Sequence, residues 1–219
     1  GNPFTEVKNV RPLTENDFHF LSTVSYTIYP DGSITLASSI VSSDPSLVLP
    51  RLGYVIKFPR QYENYTYFGR GPLNNYADRK TGSFVGLYKS TARKQFVHFP
   101  KPQSMGNRED VRWCAITNGQ ETGLEIVASD AMSTSFLPWS ALQMTLAAHP
   151  HELPETDGNY LHIDCQVTGL GGNSCGQGGP LERDRVMGDR HQMKFIIRPV
   201  MKDTDLTSNA KVTTTQECP

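Results

Sequence analysis

From Val24 onward, apolar and polar side chains alternate in short runs, the two-residue period of half-buried β-strands. Val24, Tyr26 and Ile28 alternate with polar neighbours, Pro30-Asp31-Gly32 turns the chain, and Ile34, Leu36 and Ile40 resume the pattern; this predicts a hairpin. Asp44-Pro45 interrupts it. Leu52, Tyr54, Ile56 and Phe58 form the next run, and Tyr65-Thr66-Tyr67-Phe68 an aromatic one. Phe84-Val85-Gly86-Leu87-Tyr88 and Phe96-Val97-His98-Phe99 are short and strand-like. Residues 111–117 and 124–128 flank Asn118-Gly119, a strong hairpin cue in a connection somewhat longer than two residues. Leu161, Ile163, Cys165 and Val167 alternate again, and Met193, Phe195 and Ile197 close the pattern.

One helix interrupts the strands. Ser140 followed three residues later by Gln143 has the form of a capping box, with Trp139, Leu142 and Leu146 near one face, and the helix ends by His149-Pro150. Many short strands, frequent turn cues and one short helix predict an all-β fold, a large antiparallel β-sandwich. Residues 1–17 read as an irregular lead-in, 18–199 as the sandwich, and 200–219, rich in Thr, Ser and Lys, as a tail.

Composition narrows the function classes. A chain of 219 residues is long enough to bury a real core as one domain. Twenty-one basic against 22 acidic side chains leave a net charge of -1, so there is no strong field to recruit nucleic acid or an acidic membrane. No run of eighteen apolar residues suggests a membrane span. Cysteines stand at 114, 165, 175 and 218 without a Cys-x-x-Cys pair, which fits no zinc ribbon or thioredoxin pattern. They read as mostly free thiols, with a disulfide in an oxidising compartment left open.

The densest chemistry lies in residues 68–80, Phe-Gly-Arg-Gly-Pro-Leu-Asn-Asn-Tyr-Ala-Asp-Arg-Lys. Two glycines and a proline make a constrained, turn-rich segment. It reads either as a structural corner, in which Arg70, Asp78 and Arg79 satisfy backbone carbonyls and one another, or as a binding or docking loop held by a rigid scaffold.

Residues 68–79 resemble a Phe-Gly-Arg-Gly-Pro-x-x-Asn-Tyr-x-Asp-Arg signature of the C-terminal β-sandwich domain of large β-galactosidases, glycoside hydrolase family 2. Residues 102–113, Pro-Gln-Ser-Met-Gly-Asn-Arg-Glu-Asp-Val-Arg-Trp, are similar to a second segment of that domain. His162-Ile163-Asp164 followed by Gly169-Leu170-Gly171-Gly172-Asn173-Ser174-Cys175 resembles a third. The resemblance implies a galactose-mutarotase-like super-sandwich that normally begins upstream of Gly1. It also implies retaining hydrolysis of terminal β-D-galactosides, which requires two carboxylates about 5 Å apart. In that family both glutamates belong to a TIM barrel, and no (β/α)₈ pattern of ~250 residues exists here. Glu109, Asp110, Glu121, Glu125, Asp157 and Asp164 are scattered over turns and strand ends. The expectation is therefore a chain without catalytic residues, inactive alone, that packs on the barrel of the same polypeptide and completes its galactoside pocket.

By the same resemblance the substrate-facing residues are Asn173, Ser174 and Cys175, with Cys175 where the best-studied relatives present a tryptophan. Cysteine lacks the broad ring face that stacks on a sugar. Arg70, Asn75, Tyr76, Asp78, Arg79, Arg108, Asp110 and Trp113 are expected in structural or domain-docking roles. No cofactor is implied within this chain; the calcium or magnesium some relatives use would have ligands in the barrel or across a domain seam. A bacterial origin is implied, cytoplasmic or periplasmic.

The other constellations are weaker. His149-Pro150-His151-Glu152 has metal-ligand spacing, but Pro150 at the helix end predicts that the side chains diverge, so no metal is expected there. Asp157-Gly158-Asn159 falls short of a calcium loop. Arg70, Arg79, Arg108 and Arg112 are expected to pair with Asp78 or Asp110 inside the sandwich rather than to bind nucleic acid. Trp113 and Trp139 read as core or seam residues. Two alternatives remain open. One is a free-standing carbohydrate-binding module. The other is an aldose 1-epimerase using paired histidines and a carboxylate, for which histidines 19, 98, 149, 151, 162 and 191 form no recognisable motif.

Overall fold

A computed structural model describes Thr14, residues 17–171 and residues 178–212. The strands are β1 (Phe20–Ile28), β2 (Ile34–Ser42), β3 (Val48–Leu49), β4 (Arg51–Phe58), β5 (Asn64–Gly71), β6 (Phe84–Thr91), β7 (Arg108–Thr117), β8 (Gly123–Leu137), β9 (Asn159–Val167), β10 (Val186–Met187) and β11 (Arg190–Val200). Three short helices join them: α1 (Ala92–Gln95), α2 (Ala141–Leu146) and α3 (Leu206–Asn209). Among the described residues no helix is long and apolar enough to cross a membrane.

The fold is an antiparallel β-sandwich, and β8 is the strand that makes it one. Its first half pairs with β11 on one side and β7 on the other, within the order β1-β2-β11-β8-β7-β5-β6. Its second half pairs with β9, which in turn pairs with β4. The change happens where Trp113 faces Val127 but Val111 faces Met132, so the residues between them on β8 bulge outward. Such a bulge bends the strand and lets it serve both layers. Sequence periodicity ends this strand near Ala128, nine residues short of Leu137, because the exposed bulge at Ser129 to Ala131 breaks the alternation.

The core lies between the layers. Tyr65 and Tyr67 of β5, Phe136 of β8, Leu161 and Ile163 of β9 and Phe195 of β11 are all at most 1% exposed and pack in one cluster. Their rings meet at offset or edge-on angles, Tyr54 against Phe195 at 5.7 Å and Phe58 against Phe136 at 6.2 Å. The Tyr65 hydroxyl shares a 2.6 Å hydrogen bond with Thr134, so its polar end is satisfied.

Three local expectations need correction. Phe96-Val97-His98-Phe99 is not a strand: α1 precedes it, and Phe96 and Phe99 turn into a small second core with Met105, Leu137 and Met144. The prolines at 100 and 102 cannot donate to a ladder and end any strand there. On α2 the capping box forms as read, Ser140 Oγ accepting from Gln143 N–H and Gln143 Oε1 from Ser140 N–H. The buried side chain is Met144, however, while Leu142 and Leu146 face outward. The stretch after β11 is tethered over residues 201–212. Arg198 donates to the carbonyls of Asn209 and Val212, and Asn209 Nδ2 donates to the buried Glu125 carboxylate at 2.6 Å.

Candidate functional site

The three sequence motifs converge on the outer face of the β8–β9–β4 layer. Asn75 is the hub. It is fully buried, its side-chain amide donates to the carbonyls of Arg70 and Leu73 at 3.0 Å each, and its Oδ1 accepts from Glu109 N–H at 2.8 Å. Its backbone N–H donates to the Asn107 carbonyl, and its own carbonyl accepts from Asn107 Nδ2, both at 2.9 Å. One asparagine thus fixes residues 70–75 to residues 107–109. It makes five hydrogen bonds across these segments, three through its side chain and two through its backbone.

Around this hub the arginines find separate partners. Arg70 pairs with Asp110 through Nε and donates from NH1 to the Ser83 carbonyl at 2.8 Å. Burial raises the Asp110 pKa, but Arg70 and Lys80 outweigh it and hold the carboxyl below its usual value. Arg108 is buried and donates to the Tyr67 hydroxyl, the Asn107 carbonyl and Gln95 Oε1. Arg79 reaches Asn74 Oδ1 at 2.8 Å and lies 5.3 Å from the Tyr76 ring centre. Arg112 donates to the Asp110 carbonyl. Trp113 is buried and stacks near Phe68. The expected pairing of Asp78 with an arginine is not found. Asp78 Oδ2 instead accepts the backbone N–H of Gly171 at 2.7 Å.

That contact ties residues 68–80 to the start of the glycine-rich run. Gly169 approaches so closely that a Cβ on it would lie 2.5 Å from the Asp78 carboxylate, and Gly171 holds φ at +108°. Only glycine adopts both features without strain. Asn173, Ser174 and Cys175 lie outside the described residues. Gly169 and Leu170, which precede them, line a cavity of about 420 Å³.

Each motif lends this cavity a wall: Tyr76 from the first, Gln103 to Met105 from the second, and His162, Gly169 and Leu170 from the third. Arg51 of β4, Ser135 of β8 and Met144 and Thr145 of α2 complete it. The lining offers hydroxyls, one amide, an imidazole, the Arg51 guanidinium and apolar surface, and among the described residues no carboxylate. Burial, and then the charge of Arg51, push the His162 pKa down to about 3, so the imidazole is neutral at physiological pH. Two residues along β9, Asp164 is 2% exposed, with Arg51 NH2 2.8 Å from its Oδ2. Burial raises this acid to about 6 although Arg51 pulls it back. Glu109 is engaged by Ser133 and Asn107, both at 2.7 Å.

Sequence reasoning missed Arg51 and Ser135, and it held His162 and Asp164 in a motif without assigning them a site role. The signal was present in two titratable residues on one strand face at 162 and 164, where simple alternation assigns solvent.

The sequence from residue 5 to residue 197 matches the model of a protein family described as the β-galactosidase small chain. The chain belongs to that family. A β-galactosidase of Priestia megaterium is 32% identical over 154 residues, covering 70% of this chain and 15% of the relative. A β-galactosidase of Lactobacillus delbrueckii subsp. bulgaricus is 30% identical over 180 residues, 82% of this chain and 18% of that protein. One of Halalkalibacterium halodurans is 29% identical over 177 residues, 79% and 17%. The small-chain domain described here thus spans less than a fifth of the length of these relatives. The remainder leaves room for a larger partner domain in the same polypeptide.

Proposed function

We propose that this chain is the accessory sandwich of a family 2 β-galactosidase that hydrolyses terminal β-D-galactosides with retention. It packs on a catalytic barrel and completes the substrate pocket, and it hydrolyses nothing alone. The observation that carries this reading is the Asp78–Gly171 hydrogen bond, which fixes the backbone one residue beyond the cavity-lining Gly169 and Leu170. A retaining glycosidase needs an acid and a nucleophilic carboxylate roughly 5 Å apart. Here Asp110 is engaged by Arg70, Glu109 by Ser133 and Asn107, and Asp164 is sealed beside Arg51. Hydroxyls, an amide, a neutral imidazole and the Arg51 guanidinium on a rigid wall suit binding and orienting a sugar, and orientation lowers the barrier without adding acid or base.

The test uses the purified 219-residue chain. With a chromogenic β-galactoside it is expected to show no turnover above buffer, and measurable cleavage would refute the reading. Titration with galactose and lactose separates the alternative: saturable millimolar binding by the chain alone would favour a free-standing carbohydrate-binding module. In a β-galactosidase that carries this domain, removal of residues 169–179 is expected to lower turnover. Unchanged kinetics would contradict the pocket role.

A further inference from the structure

The turn between α2 and β9 places two histidines and a glutamate together, against the divergence expected from the proline. His149 precedes a one-turn 3₁₀ helix, Pro150–Glu152, closed by Glu152 N–H to the His149 carbonyl at 3.1 Å. Pro150 opens that helix, where its missing N–H costs nothing and its fixed φ favours the turn. The tight turn brings His149 and His151 onto the same side, with ring centres 5.3 Å apart and planes 15° from parallel. Glu152 folds back between them and the preceding backbone. Its Oε1 lies 2.9 Å from His149 Nδ1, and its Oε2 accepts Ala148 N–H at 2.8 Å. One ligand atom from each of the three residues lies within 4.8 Å of the other two.

We propose that His149, His151 and Glu152 form a surface site for a divalent transition metal of the zinc type. Two imidazole nitrogens and one carboxylate oxygen are a donor set of borderline hardness that suits Zn²⁺, with water in the fourth position of a tetrahedron. Magnesium and calcium prefer oxygen ligands throughout. All three side chains are exposed, so an ion can enter without opening the fold. Small side-chain rotations close the ligand atoms onto one ion; as neutral imidazole, His149 ligates through Nδ1 with its one proton carried on Nε2. The turn itself is anchored on both sides. Ala147 is buried, Leu153 packs on the small second core, and Trp139 Nε1 donates to the Pro154 carbonyl at 2.9 Å. A bound ion would staple the end of α2, whose Met144 and Thr145 line the cavity.

The experiment titrates the chelator-treated 219-residue chain with Zn²⁺ against a chromophoric competitor and follows thermal unfolding in parallel. One equivalent of saturable binding is expected, with a melting temperature that rises with Zn²⁺ and falls back on adding EDTA, because a ligand that binds only the folded state stabilises it by mass action. His151 makes no hydrogen bond among the described residues, so His151→Ala leaves the His149–Glu152 contact and the turn in place. It is expected to weaken Zn²⁺ binding by at least about tenfold, since even outer partners of a metal site typically contribute that much. Glu152→Gln tests the third ligand with the same expected loss. Absence of saturable binding would overturn the proposal. So would Zn²⁺ affinity unchanged in His151→Ala, or Mg²⁺ binding as tightly as Zn²⁺.

Discussion

The two faces of β9 are buried to nearly the same degree and have opposite chemistry. Leu161 and Ile163 enter the hydrocarbon core and are fully buried, while His162 and Asp164 point the other way and are 7% and 2% exposed. One face is covered by a second layer of strands. The other faces the cavity walled by Tyr76, Gln103 to Met105 and α2, and Arg51 of the neighbouring β4 pairs with Asp164. An apolar face needs only shape and volume from its cover, whereas a charged face needs partners in particular places. The second kind of burial is the more demanding, and it is where the cavity lined by Gly169 and Leu170 is found.

The comparison can be strained from either side. On the apolar face Ile163→Ala should be the most costly change, about 2–5 kcal/mol in urea unfolding, because it leaves a cavity among Tyr54, Phe136 and Leu161. On the polar side Asn75→Ala should destabilise by roughly 2–4 kcal/mol, since it leaves the buried Glu109 N–H without its acceptor and the Arg70 and Leu73 carbonyls without the Asn75 amide. If Asn75→Ala unfolded at the wild-type urea midpoint, the covered polar face would not be held as described.

A subtler difference is in acid. His162 titrates at about 3 when folded against an ordinary 6.5, so the unfolded chain binds the extra proton and His162 costs stability as pH falls below 6.5. Asp164, raised to about 6 from 3.8, works in the opposite sense: the folded chain binds the proton first, so stability is lost as pH rises through that window. Glu125, raised to about 7 from 4.5, chiefly by burial, acts the same way beneath the tethered segment after β11. Two acids against one histidine make stability fall as pH rises between about 4.5 and 6. Glu125→Gln should flatten that slope, and His162→Asn should steepen it. Urea midpoints measured at several pH values check both signs.

The smallest effect is expected at the exposed face of α2. Leu142→Ser and Leu146→Ser should change stability by about 0.5 kcal/mol or less, because both side chains already face outward.

Most of the sandwich was legible because period-two alternation marks strands well, and the Ser140–Gln143 pair marks a helix start equally plainly. The length of β8 was not, since its bulge interrupts the alternation that defines a strand. Nor was the covered polar face. His162 and Asp164 follow the pattern of a solvent-facing strand side, and only the tertiary placement of Tyr76, Gln103 to Met105, α2 and Arg51 shows that this side is occupied. At 149–152 the proline predicts side chains that diverge, whereas at the first position of a 3₁₀ turn it brings His149 and His151 side by side.

What matters most is whether the grip of Asp78 on the glycine-rich loop counts in turnover, and kcat/KM for a β-galactoside in an enzyme carrying this domain measures it directly. Asp78→Ala removes the acceptor of Gly171 N–H and should lower kcat/KM by about 10- to 100-fold, the loss expected when a pocket wall shifts by an ångström. Asp78→Asn keeps an acceptor oxygen and should recover most of it. Wild-type kcat/KM in Asp78→Ala would contradict the account.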